Sequence, residues 1–81
     1  SLKLYPNPVQ NILEVQLESK NMGITYLTVL DTKGKSLQNF SFTKNENTIK
    51  YSLNFENLPA GTYILKVQQQ GSVSFKKFIK L

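Results

Sequence analysis

Cysteine, histidine and arginine are all absent from this chain of 81 residues. Without cysteine the domain holds no disulfides, and without cysteine or histidine it has no zinc-finger ligands, no thiol nucleophile and no imidazole base. Its stability must therefore come from an apolar core, to which four tyrosines and five phenylalanines contribute.

All basic residues of the chain are lysines. Ten lysines against five carboxylates give a net charge of +5. Arginine is the usual residue for recognising phosphates and base edges, so its absence argues against a nucleic-acid partner. The lysines are spread along the chain, which favours a solvated surface over one charged patch.

Long apolar runs are also missing. No segment approaches the roughly 18 apolar residues of a membrane helix, and the sequence does not open on a secretory signal peptide. We therefore expect no membrane insertion. If the protein is exported, we expect this segment to be a fragment of a longer parent that carries the signal.

Catalytic motifs are absent as well. Glu14 and Glu18 share one predicted strand face but lie about 13 Å apart, which is too far for a paired-carboxylate site. No P-loop, glycine-rich phosphate loop or G-x-S-x-G elbow occurs. The sequence therefore predicts no enzyme, no cofactor and no metal site.

Apolar and polar residues alternate with a period of two, which is typical of strands. The pattern is clearest in ILEVQL, LQNFSF, TIKYSLNF and TYILKVQ. The segment ITYLTVLD is apolar on both faces, as in a central strand, and DTKGK follows as a turn in which Gly34 can take a positive φ. With LKLY and VSFKKFIKL we count about seven strands and no helical stripe, which predicts an all-β fold, an immunoglobulin-like antiparallel β-sandwich. We expect one domain, residues 1–81.

Tyr63 has the position of a tyrosine corner. It follows LPAG and opens a strand two residues before Leu65. In immunoglobulin-like domains such a tyrosine bonds through its hydroxyl to upstream backbone; the alternative is an ordinary core tyrosine.

The last predicted strand, VSFKKFIKL, does not divide simply into two faces. A regular strand puts Val73, Phe75, Ile79 and Leu81 inward together with Lys77, and leaves Phe78 outward. A bulge at Lys76 and Lys77 would turn Phe78 inward. The strand is then either a sheet edge guarded by lysines or an exposed strand to which a partner adds its own strand.

Near the start, LYPNP holds Asn7 between Pro6 and Pro8. Proline fixes φ and pushes the preceding residue to extended geometry, so Asn7 is expected in a rigid extended turn. This is either a stiff corner before the next strand or a landmark at the junction with a preceding domain.

Three segments, LYPNP, LPAGTYILKV and GSVSFKKFIKL, occur in an order and spacing that resemble the C-terminal sorting domain of the type IX secretion system of Gram-negative bacteria. The resemblance covers essentially the whole chain, and YPNP and KKFIK are similar to the first of two sorting classes, type A. It implies a seven-strand immunoglobulin-like sandwich at the end of a larger secreted cargo protein.

The family's motif residues map onto three places in this chain. Those in the opening motif are Pro6, Asn7 and Pro8; those in the central motif and hairpin are Gly61, Tyr63, Leu65, Val67 and Gly71; those in the terminal motif are Lys76, Lys77, Phe78, Ile79 and Lys80. The resemblance implies that the terminal motif is needed for export. We expect Phe75 and Ile79 to hold the last strand in register while Lys76, Lys77 and Lys80 face an acidic groove.

The resemblance also implies partners and a location. The domain would be recognised in the periplasm by type IX shuttle and translocon components, would direct its parent through the outer membrane, and would be removed by a cell-surface sortase. The cargo would remain on the cell surface or be released. No nucleic acid or small-molecule substrate is implied.

Three other functions are compatible with a small sandwich. A carbohydrate-binding module needs a row of exposed aromatic side chains, whereas we predict seven or eight of the nine aromatics inward. A spacer of fibronectin type has no reason to end the polypeptide on its last strand. A single-strand nucleic-acid barrel needs aromatics on an exposed basic face.

Overall fold

The computed structural model describes every residue from Ser1 to Leu81 and contains seven strands and no helix. The strands are β1 (Leu2–Tyr5), β2 (Ile12–Glu18), β3 (Gly23–Leu30), β4 (Ser36–Lys44), β5 (Thr48–Asn54), β6 (Gly61–Gln69) and β7 (Ser72–Lys80). Each of the seven segments expected from the alternation forms one of these strands. No helix is available that could cross a bilayer.

The strands form two antiparallel sheets that pack face to face. One sheet has the order β1-β2-β5, and the other has the order β4-β3-β6-β7. The predicted all-β sandwich of seven strands is confirmed. The prediction of a central strand is confirmed for β3, which pairs with β4 on one side and β6 on the other.

The core lies between the sheets and follows the alternation of the sequence. On β2 the side chains of Leu13, Val15 and Leu17 point inward and are buried, while the residues between them face solvent. This works because side chains alternate between the two faces of a strand and only one face of β2 is covered.

The tyrosine corner is also confirmed. Tyr63 is buried, and its Oη donates a hydrogen bond to the carbonyl oxygen of Pro59 at 2.5 Å. The loop before β6 is thereby tied to the first inward-facing residue of that strand, which fixes where β6 begins.

For β7, the regular-strand alternative has the wrong orientation and the predicted bulge is absent, although the inward Phe78 of the bulged alternative is confirmed. The residues of β7 pair with those of β6 in one uninterrupted register from Gly61↔Lys80 to Gln69↔Ser72, so the strand has no bulge. Paired residues lie on the same face of an antiparallel sheet. Because Tyr63 points inward and pairs with Phe78, Phe78 also points inward and is 0% exposed.

The residues expected inward on β7 consequently point outward. These are Val73, Phe75, Ile79 and Leu81, all among the exposed large apolar residues of the chain. Lys77, which the regular-strand alternative placed inward, is exposed on the same outer face. The regular-strand alternative assumed that the more apolar face of β7 points to the core. The register with β6 instead places the face with Phe78 toward the core.

The number of aromatic residues that face inward is lower than the seven or eight expected. Six lie inward, fully or partly buried: Phe40, Phe42, Tyr51, Phe55, Tyr63 and Phe78. Tyr5, Tyr26 and Phe75 are exposed.

Candidate recognition site

The opening motif and the terminal motif, far apart in sequence, are in direct contact. Asn7 Oδ1 accepts a hydrogen bond from the backbone N–H of Ile79 at 2.9 Å. Asn7 Nδ2 donates to the carbonyl oxygen of Lys77 at 3.4 Å. The side-chain amide of Asn7 therefore takes the place of a peptide group of a neighbouring strand.

Val9 extends this contact toward the end of β7. Its N–H donates to the carbonyl of Ile79, and its carbonyl accepts from the N–H of Leu81, both at 2.8 Å. Val9 forms a parallel bridge with Lys80 and is fully buried. The proline segment, residues 6–9, thus runs along the outer edge of the last part of β7.

Val9 lies outside the motifs that the sequence indicates. A local indication was present, since Val9 is the one apolar residue between Pro8 and Ile12. The expectation for Asn7 concerned only the stiffness of its backbone. The hydrogen bonds of its side chain could not be derived from a local pattern.

The central motif lies on the other side of β7, within the core. The ring of Phe78 stacks on Phe55 with centroids 5.3 Å apart and on Tyr63 with centroids 5.7 Å apart. Gly61 pairs with Lys80. A Cβ built on Gly61 would lie 3.7 Å from the ring of Tyr63, at ordinary van der Waals distance, so Gly61 lies directly beside the tyrosine corner.

The three lysines of the terminal motif are not equivalent. Lys76 and Lys77 are exposed, and as consecutive residues of a strand they project from opposite faces. Lys80 points inward and is only 7% exposed, with its Nζ donating to the carbonyl oxygen of Leu81 at 2.8 Å. The expectation that all three face a partner is wrong for Lys80.

The expected role of Phe75 and Ile79 is corrected as well. Both side chains are exposed, so neither holds β7 in register through the core. Phe78 does so through its inward stacking contacts, and Ile79 contributes only its backbone groups, which bond to the proline segment.

Gly71 lies apart from the other motif residues. It has a φ of 74° in the turn between β6 and β7, a backbone conformation that glycine adopts without steric cost. This turn is at the opposite end of β7 from the proline segment. The structure therefore joins the opening, central and terminal motifs but not the hairpin glycine.

These features define a β-sandwich domain whose opening segment is bonded to the edge of its last strand. A comparison with protein-family models matches residues 3–81 to the secretion system C-terminal sorting domain. The chain belongs to this family and is a C-terminal sorting signal of type IX secretion, which takes proteins to the cell surface or outside the cell. No curated protein matches the chain.

Family membership does not favour a carbohydrate-binding or spacer module. The family is one of sorting signals and not of catalysts. Within the fold, no three acidic side chains come close enough together to hold a metal ion.

Replacing Asn7 by alanine is expected to lower the free energy of unfolding by about 1 kcal/mol, because Ile79 loses a hydrogen bond. The backbone amide of Ile79 should exchange with solvent faster, while amides in the middle of β6 keep their rates. Hydrogen exchange followed by NMR measures this. Asn11→Ala is the control, because the Asn11 side chain is exposed and makes no hydrogen bond. Unchanged exchange at Ile79 would contradict the assigned contact.

Proposed function

We propose that this domain, residues 1–81, is the sorting domain of a larger secreted cargo protein and that its proline segment and β7 form one recognition surface. The observation that carries the proposal is the pairing of Asn7 and Val9 with Ile79. The proline segment and the lysine-rich end of β7 are joined at the surface of the sandwich. Of their residues, Val9 and Phe78 belong to the apolar core.

The residues of the motifs then have different tasks. Lys76 and Lys77 supply exposed positive charge for an acidic groove on the export machinery. Phe78 and Tyr63, with Gly61 beside the ring, hold β7 in register. The remaining residues shape the backbone or bond to it: Pro6, Asn7, Pro8, Gly71, Ile79 and Lys80.

The proposed partners are the shuttle and translocon components of the type IX system, which bind the folded domain in the periplasm. The parent protein then crosses the outer membrane, and a cell-surface sortase removes the domain, so that the cargo remains attached to the surface or is released. The motifs assign the domain to the type A class. It performs no catalysis itself and binds neither nucleic acid nor a small-molecule substrate.

The test is export of a reporter. The 81 residues are fused behind a fluorescent protein that is delivered to the periplasm of a type IX-competent cell. We expect the fusion at the cell surface or in the medium, and we expect it to stay in the periplasm of a strain without the translocon. Retention in both strains, with the domain folded, would contradict the proposal.

A further inference from the structure

β7 is an edge strand whose outer edge is only partly covered. Peptide groups of an antiparallel strand point alternately to its two sides. The N–H and C=O of Ile79 point away from β6, toward the proline segment, so those of Val73, Phe75 and Lys77 also point away from β6. The proline segment reaches only as far as the carbonyl of Lys77. The N–H and C=O groups of Val73 and Phe75 and the N–H of Lys77 therefore have no partner within the chain.

The outer face beside this open edge is apolar. Phe75 is 60% exposed and Val73 is 49% exposed. An added strand would therefore find both free backbone groups and apolar side chains on this face.

The other long edge strands lack this combination. On β4 the outward-facing residues along most of the strand are polar: Asn39, Ser41 and Thr43. On β5 they are Lys50, Ser52 and Asn54. β7 is therefore the long edge strand that itself carries two large exposed apolar side chains, Val73 and Phe75, beside free backbone groups.

The charge near the open edge is of one sign. The β6–β7 hairpin contains lysine but no carboxylate. The five carboxylates lie on β2 or in turns: Glu14, Glu18, Asp31, Glu46 and Glu56. On β7 the exposed lysines take both faces, since Lys77 follows Phe75 on the outer face and Lys76 lies on the inner face. A partner segment with acidic side chains would be complementary in charge to this edge.

We propose that residues 73–77 of β7 accept an extended segment of a partner protein as a fifth strand of the β4-β3-β6-β7 sheet. The segment alternates apolar and acidic residues, with the apolar ones beside Val73 and Phe75 and the carboxylates beside Lys76. Backbone hydrogen bonds supply affinity and the side chains supply specificity. The inference rests on the proposed function, because the partner is taken to be a component of the export machinery.

The first experiment titrates the 81-residue chain with a synthetic peptide of sequence EVEFEVE, capped at both ends, and follows backbone amides by NMR. We expect the amides of Val73, Phe75 and Lys77 to exchange at least about tenfold more slowly with peptide bound. The control peptide KVKFKVK has the same apolar residues and should bind at least about tenfold more weakly. Equal binding of the two peptides, or protection at another edge, would overturn the proposal.

Two variants at one position separate backbone from side chain. Phe75→Pro removes an N–H that points away from β6, so no bond of the β6–β7 ladder is lost and the domain stays folded. Phe75→Ala keeps the N–H and removes the ring. We expect the proline variant to bind EVEFEVE at least about tenfold more weakly than the alanine variant. Equal affinities would exclude strand addition.

The remaining outcomes are distinguished by two further measurements. Sedimentation of the free chain reports self-association; a dimer formed through residues 73–77 would assign this edge to a second copy and overturn the proposal. Export of the reporter fusion tests the underlying function separately. An exported fusion whose domain does not bind the peptide contradicts strand addition alone, whereas a fusion that is never exported contradicts the proposed function.

Discussion

Replacing Phe78 by alanine is expected to lower the free energy of unfolding by about 3–5 kcal/mol. The Phe78 ring is fully buried and stacks on both Phe55 and Tyr63, so its removal leaves a cavity and ends two aromatic contacts. A domain of this length has a total stability of about 4–12 kcal/mol. The variant should therefore lose at least about a quarter of the domain's stability, and its urea midpoint should fall accordingly.

Urea unfolding followed by circular dichroism measures this effect. Phe75→Ala is the matched control, since it makes the same chemical change on the same strand but at an exposed position. We expect it to change stability by no more than about 0.5 kcal/mol. If Phe75→Ala were the more damaging change, β7 would face the other way, as the composition of the strand alone suggested.

The double replacement Lys76→Glu with Lys77→Glu is expected to reduce export of the reporter fusion to less than about a tenth. In the proposed function these exposed lysines meet an acidic groove, and like charges across an interface cost several kcal/mol. The unfolding midpoint should hardly change, because both side chains are solvated. Fractionation of cells into periplasm, surface and medium measures the export.

The control is Lys3→Glu with Lys50→Glu, which changes the net charge by the same amount. Both residues are exposed on the other sheet, where each pairs with Gln16 of β2. We expect normal export of this variant. Lys80 is left unchanged because it is buried and its replacement would disturb the fold. Equal loss of export in both double variants would show that the overall charge matters and not the site.

Much of the fold could be predicted because most strands have one face in water and one in the core. In β2 the alternation of Leu13, Val15 and Leu17 with charged or polar residues leaves one possible orientation. The tyrosine corner was predictable from sequence spacing, because Tyr63 closely follows LPAG and precedes the buried Leu65 by two residues.

The orientation of β7 could not be predicted from its own sequence. Large apolar residues occur on both of its faces, with Phe75 and Ile79 on one and Phe78 on the other. The choice is made by the register with β6, in which Tyr63 is paired with Phe78. Lysine at position 80 adds to the ambiguity, because its long aliphatic stem can be buried although its head is charged.

The candidate site was predictable as a set of motifs and not as one surface. Sequence patterns describe neighbours along the chain, whereas Asn7 and Ile79 meet only because β1, the proline segment and β7 converge at one end of the sandwich. The distinction between the exposed Lys76 and Lys77 and the buried Lys80 likewise depends on tertiary packing.

The bond between Asn7 and Ile79 spans 72 positions of the chain. A contact of this sequence separation contributes to a high contact order, and it cannot form during synthesis until Ile79 has left the ribosome, after nearly all other residues of this domain. Under the proposed function, a polypeptide whose translation stops early has no joined surface for the export machinery to bind. The sorting signal would then also act as a check on completeness, since only finished cargo could leave the cell.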